Sequence, residues 1–203
     1  MSIIVLEKIF GGQARVRLMQ LFLFNSDRIF DKEEVIKKTK TSKDTTNKEL
    51  QFLIDIGLVR QTTFYKFFEL KAGNKKKRII GFTLNKKFIF LNHLKNFLIN
   101  TVPLQKNNLV KKISKICNPK LILVSGIFLQ IEESRIDLLI VADNVKEGII
   151  KSIISQIESE IGKEIRYTVF NSEDFKYRVS LHDHLIRDIF DLPHQILINK
   201  LGL

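Results

Sequence analysis

The sequence predicts an α+β protein in two modules: helices closed by a β-hairpin, then an alternation of strands and helices. Three observations carry this. Apolar residues recur at helical spacing through 14–56 and then give way to two β-type runs flanking a Gly/Asn turn. From 121 onward, short aliphatic strands alternate with helical patterns, as a small α/β sandwich with a mixed sheet requires. The charge divides the same way. Residues 1–103 carry 20 Lys+Arg against 9 Asp+Glu, whereas 104–203 carry 14 against 13, within a net charge of +12.

Residues 14–25, ARVRLMQLFLFN, combine apolar side chains with good helix formers and end at Asn-Ser-Asp, which predicts a buried helix. Residues 31–40, DKEEVIKKTK, predict a second helix: Asp31 can cap it, acids fill the first turn and lysines the last. TSK is a short turn. Residues 43–56 predict a third helix, with Leu50, Leu53, Ile54 and Gly57 on its inward face and Gly57 at its C-terminal cap. The runs 58–70 and 77–85 read as a hairpin around KAGNKKK, with a basic tip. A linking helix over 88–101 leads to Pro103, the expected boundary between a 1–103 and a 104–203 domain. In the second half the expected order is helix 104–117, strands 121–125 and 136–142, helix 146–162, strand 164–170, helical 172–191 and an apolar core run, 195–199.

Three helices followed by a basic hairpin make a winged helix-turn-helix, and the surplus of cations points to a polyanion. The second helix of the pair would be the recognition helix. Its first turns offer Ser42, Lys43, Asp44, Thr45, Asn47, Lys48 and Gln51 off the apolar face, while Thr46 faces inward. Lys37, Lys38 and Lys40 cluster just before it, and Lys75, Lys76, Lys77 and Arg78 form the wing tip. Lysine suits phosphate contact more than base reading, so Thr45, Asn47 and Gln51 would carry most of the sequence information. The phrases LEKIFGGQARVRLMQLFLFN and DKEEVIKKTKTSKDTTNKELQFLIDIGLVRQ also resemble bacterial and archaeal winged-helix transcriptional regulators. One branch of these carries a nucleotidyltransferase-like domain at its C-terminus. The resemblance implies a homodimer on double-stranded DNA.

The stretch 121–143, LILVSGIFLQIEESRIDLLIVAD, is similar to the polymerase-beta-like nucleotidyltransferases. That superfamily has a Gly-Ser turn after a first strand and an Asp-x-Asp opening the second, with a third acid on a later strand. The turn cradles a triphosphate and the acids hold two Mg²⁺ ions. Here Gly126 matches the glycine, Phe128 the following aromatic and Asp137 the second acid. Ile127 stands at the serine position and Arg135 at the first acid. The later strand carries Arg166, with Glu164 its only nearby acid. An arginine cannot ligate Mg²⁺. The expectation is therefore a vestigial site with no catalytic residue, no metal and no cofactor, in which Asp137 pairs with Arg135 or caps the turn. A Mg²⁺-free nucleotide pocket using Arg135 and Arg166, or a protein partner, is the alternative use of this domain.

Other chemistry is sparse. His182 and His184 are two apart, so on a helix they face away from each other. One cysteine, Cys117, excludes an internal disulfide and fits a reducing cytoplasm. No apolar run approaches a membrane span, and the N-terminus shows no secretory pattern. The competing functional expectations are a divergent, antitoxin-like nucleotidyltransferase acting on protein or RNA, and an architectural protein binding DNA without sequence preference.

Overall fold

A computed structural model describes residues 2–70, 73–102, 106–131 and 133–202, the side chains of 2–4, 68–70, 73–75 and 99 aside. The protein is α+β and divides into two compact units. One is Met1–Ile99 with Glu158–Lys163, the other Asn100–Ile157 with Glu164–Leu203. Pro103 lies outside the described residues.

The first unit opens with α1 (Ser2–Phe10) and α2 (Gln13–Phe24), followed by α3 (Lys32–Thr39) and α4 (Lys43–Asp55). Helix α1 is not expected from the sequence, because SIIVLEKIF is apolar nearly all round and shows no start signal. Helix α3 begins with a full capping box. Glu34 N donates to Asp31 Oδ1 (2.8 Å) and Asp31 N donates to Glu34 Oε2 (3.0 Å), satisfying two otherwise orphan N–H groups. Lys40 closes α3 in the left-handed region (φ 52°).

The turn into α4 is held by a chain of hydroxyls. Thr39 Oγ1 lies 2.7 Å from Val35 O and 2.8 Å from Thr41 Oγ1, and Thr46 Oγ1 lies 2.7 Å from Thr41 Oγ1 and 2.9 Å from Ser42 O, so the three hydroxyl protons serve three of these four contacts at a time. Thr46 is fully buried, so these contacts tie α3 to α4 beneath the surface of the turn. Ser42 caps α4, accepting from Thr45 N and donating to Thr45 Oγ1. Gly57, at φ 79°, supplies the left-handed residue that ends the helix.

Strands β1 (Val59–Leu70) and β2 (Gly73–Leu84) pair antiparallel over twelve residues each. Here the structure corrects the sequence reading. The second strand starts at Gly73 and not at Lys77, so Lys75 and Lys76 are not in a loop but inside β2, opposite Phe68 and Phe67. Backbone pairing continues through residues of low strand propensity because each added ladder bond is made in register with a β-rich partner strand. A one-residue bridge, Phe30 to Phe82, adds a third edge to the hairpin through two bonds of 2.9 and 2.8 Å. Leu18, Phe22, Phe30, Val35, Leu50, Leu53, Leu58 and Leu84 form the core beneath, with Phe22 and Phe30 in edge-to-face contact at 5.9 Å. Helix α5 (Leu91–Ile99) contributes Leu98 to it.

The second unit holds α6 (Lys106–Ser114), β3 (Leu121–Val124), a 3₁₀ turn (Gly126–Phe128), β4 (Leu138–Val141) and α7 (Glu147–Ile161, whose last residues belong to the first unit). There follow β5 (Tyr167–Phe170), α8 (Ser172–Ser180), α9 (His184–Asp191) and β6 (Gln195–Asn199). The sheet is mixed, in order β5-β4-β3-β6: β4 and β5 are parallel, and β3 is antiparallel to both its neighbours. Central strands β3 and β4 are buried at every residue, which explains their unbroken aliphatic runs. Leu121, Leu123, Leu139 and Val141 pack with Phe175, Ile186 and Ile189 of α8 and α9. The single helical stretch expected over 172–191 is two helices, broken at His182 (φ 51°) and restarted by an Asp183 cap. The 195–199 run is the edge strand β6, half-buried rather than core. Among the described residues no helix is long and apolar enough to cross a membrane.

Candidate nucleic-acid interface and carboxylate site

In the first unit most of the cations stay in solvent, while the polar side chains between them range from exposed (Ser42, Gln51) through half-buried (Thr45, Asn47) to buried (Thr46). Lys37, Lys40, Lys43, Lys48, Lys76, Lys77 and Arg78 are exposed, and Lys38 is half-buried. Nothing is described of the Lys75 side chain. The expected base readers are otherwise engaged. Thr45 is held by Ser42, and Gln51 Nε2 donates to Asp55 Oδ1 at 2.7 Å. Asn47 Oδ1 is buried without a hydrogen-bond partner. Helix α4 is fixed to α2 by Arg15, whose Nε donates to Glu49 Oε2 (2.7 Å) and whose guanidinium lies 3.7 Å from the Phe52 ring centroid.

The hairpin is fixed to α3 by Lys66 and Asp31. Burial works against the Asp31 carboxylate, but the hydrogen bonds from Lys66 and Glu34 N outweigh it and hold its pKa below the usual range. The same contact raises Lys66. On the hairpin's other face Lys76 Nζ stands 4.4 Å from the Tyr65 centroid and 5.6 Å from that of Phe67, and Arg78 donates twice to Thr63 Oγ1 (3.0 and 3.2 Å).

In the second unit Asp137 is buried to 2% exposure, and its partner is Arg166, not Arg135. Four donors converge on it: Ile127 N (2.9 Å) and Arg166 Nη2 (3.0 Å) on Oδ1, and Arg166 N (2.9 Å) and Nε (3.1 Å) on Oδ2. The turn-capping half of the expectation holds; the pairing half is corrected. Residues 135–137 precede β4, so Arg135 does not share a regular strand face with Asp137. It reaches α9 instead, with Nη1 2.8 Å from Asp188 Oδ2. The parallel register places Arg166 beside Asp137, 29 residues away in sequence. That pairing raises the Arg166 pKa further.

Gly126 has φ 48°, and a Cβ there would stand 2.0 Å from Asp137 Oδ1, so only glycine allows the carboxylate to reach the turn. Sequence spacing draws no attention to Ser125. Its buried hydroxyl donates to Pro193 O at 2.7 Å, so the nearest hydroxyl to the turn serves the fold. Glu164 lies exposed, ahead of the start of β5. The carboxylate thus has its lone pairs taken by four N–H donors, which leaves no direction for a cation. Among the described residues no three His, Cys, Asp or Glu side chains gather to hold a metal. Burial raises the Cys117 thiol pKa, away from thiolate chemistry.

A cleft of about 620 Å³ runs along the edge strand β5, between it and the start of α7, lined by Asn144, Glu147, Tyr167, Thr168, Asn171 and Asp174 among others. Asp143 borders it, accepting from Ser172 N (2.8 Å) and Ser172 Oγ (3.0 Å) and pairing with Lys120. Lys120, then Ser172, lower the Asp143 pKa to about 2. A carboxyl depressed in the folded state stabilises above its ordinary value of 3.8, and that contribution is lost as pH falls through about 2. Asp143→Asn is therefore expected to lower the melting temperature at neutral pH, with the gap from wild type closing as pH is taken from 4 to about 2.

No protein-family model, no curated protein and no solved structure matches this chain.

Proposed function

We propose that the protein binds duplex DNA through its first unit and acts as a transcriptional regulator, its affinity resting mainly on phosphate contacts. In this reading the first unit is a winged helix-turn-helix with α4 as recognition helix and the hairpin as wing. The observation that carries it is the set of exposed lysines on α3, on the first turns of α4 and along β2. The hydroxyl-locked α3–α4 turn and the Phe30–Phe82 bridge support it by holding helices and hairpin in one rigid piece. The protein would act as a homodimer, doubling the lysine footprint. Exposed Val5 and Ile9 on α1 and Phe97 on α5 give this unit apolar surface for a second copy.

In the same reading the second unit is a nucleotidyltransferase-shaped domain without nucleotidyl transfer, serving dimerisation, ligand sensing or partner contact. The saturated Asp137 carboxylate supports that role, and the cleft beside Asp143 offers room for a small ligand.

One set of contacts favours a second reading, an architectural protein without sequence preference. Thr45 and Gln51 are tied up locally and Asn47 Oδ1 is buried, so base readout is thin. Titrating the full chain against duplexes over a range of salt tests the shared claim. The logarithm of affinity is expected to fall linearly with that of salt, with a slope of about −0.9 per phosphate contact. A slope near zero overturns it. Rounds of selection from a random duplex pool separate the two readings: a consensus site indicates a regulator, and an unselected pool indicates an architectural protein.

A further inference from the structure

Single exposed aromatics on a protein surface need no explanation, but three large apolar side chains on one face of one hairpin do. Tyr65 (58% exposed), Phe67 (67%) and Ile80 (53%) share such a face with Lys76 and Arg78. The register sets Tyr65 directly opposite Arg78 and Phe67 directly opposite Lys76, so each ring has a cation as its cross-strand neighbour. Two residues apart on a strand, the rings are side by side at about 7 Å between Cα atoms. Residues 60–67 and 76–83 contain no acid, so the charge of this face is uncompensated from within those segments.

We infer that this face of the hairpin binds unpaired nucleobases: the rings of Tyr65 and Phe67 stack on bases, and Lys76 and Arg78 take the phosphates between them. The inference rests on the reading of the hairpin as facing nucleic acid and adds a ligand class to it. Duplex DNA shows only base edges in its grooves, so flat exposed rings gain nothing from a continuous duplex. A strand with splayed bases offers both a π-face for each ring and a phosphate for each cation, and paired aromatics on a sheet face are suited to stack successive bases. Lys76 Nζ lies over the rings, 4.4 Å from the Tyr65 centroid and 5.6 Å from that of Phe67, so a base stacking on Tyr65 displaces this ammonium, which then turns to the adjoining phosphate. An acidic peptide would satisfy the cations but would leave the two rings without stacking partners.

The test uses the full chain and fluorescence anisotropy at one fixed salt concentration. Four labelled probes share a short duplex: blunt, with a single-stranded DNA tail, with the same tail in RNA, and with an abasic DNA tail of equal length. The abasic tail carries the same phosphates without bases. The base-bearing DNA or RNA tail is expected to bind about tenfold tighter than the abasic one, and whichever sugar binds tighter identifies the natural strand. Tyr65→Leu/Phe67→Leu is expected to remove that difference while leaving blunt-duplex affinity within about twofold. Both side chains are more than half exposed, so the melting temperature of the double variant should match wild type. Equal binding of base-bearing and abasic tails, or a difference that survives in the double variant, overturns the inference while leaving duplex binding intact. Ring-dependent binding of the base-bearing tail with no binding to the blunt duplex sustains the inference and removes the duplex reading.

Discussion

Asp137→Asn is expected to destabilise the second unit by about 3 kcal/mol, read as a lower urea midpoint and a melting temperature reduced on the order of 10 °C. The wild-type carboxylate accepts four N–H donors, two from backbone and two from one guanidinium. An asparagine keeps one acceptor oxygen and turns an NH₂ toward the remaining donors, so two N–H groups lose their partner and meet another donor. The lower end of the usual cost for breaking a buried pair applies, because the Arg166 side chain is 53% exposed and can rehydrate. Gly126→Ala is expected to act at the same point, forcing a Cβ into Asp137 Oδ1. The direction is diagnostic. A carboxylate kept for a catalytic metal is held against its own stability, and its amide variant commonly leaves the fold unchanged or firmer. A clear loss of stability therefore marks Asp137 as a fold residue. An unchanged melting temperature would make it a candidate metal ligand again.

This carboxylate also shows where sequence reasoning stops. The strand-turn-strand outline around LILVSGIFLQIEESRIDLLIVAD is legible because two aliphatic runs bracket a glycine, and each run is buried on both faces. The partner of Asp137 is not legible. Proximity in sequence favours Arg135, two residues away, but the contact is made across a parallel strand pair, through a register that only the fold determines. The same limit hides the break at His182, a left-handed residue with neither Gly nor Pro to announce it, and the extension of β2 back through Lys76 and Lys75, where long-range pairing overrides local propensity. In the first unit the local signals are stronger. The cap at Asp31 and the apolar face of Leu50 and Leu53 place α3 and α4 within a residue of expectation, because the chemistry that starts or buries them is contained in each segment.

Equally hidden from the sequence is how little of α4 remains free to read bases, and this sets the second large expected effect. Replacing Lys40, Lys43 and Lys48 together with alanine is expected to weaken duplex binding about 100-fold near physiological salt. The salt slope should become shallower by about 2 to 3, at about 0.9 for each phosphate that the variant no longer neutralises. All three side chains are exposed, and Lys43 and Lys48 sit on a helix whose cap and core contacts they do not make, so folding should be little affected. The weakening should be nearly equal on every duplex sequence, since phosphates carry no sequence information. Gln51→Ala should behave differently. Its side chain is bonded to Asp55, so a base contact requires that bond to be exchanged, and the substitution should cost little affinity on random duplexes. If Gln51 does read a base, its removal lowers discrimination at a single base pair by about 1–3 kcal/mol and leaves the salt slope alone. A lysine triple variant that binds as wild type would mean that the cations of α3 and α4 do not face DNA, and the first unit's charge would then need another anionic partner.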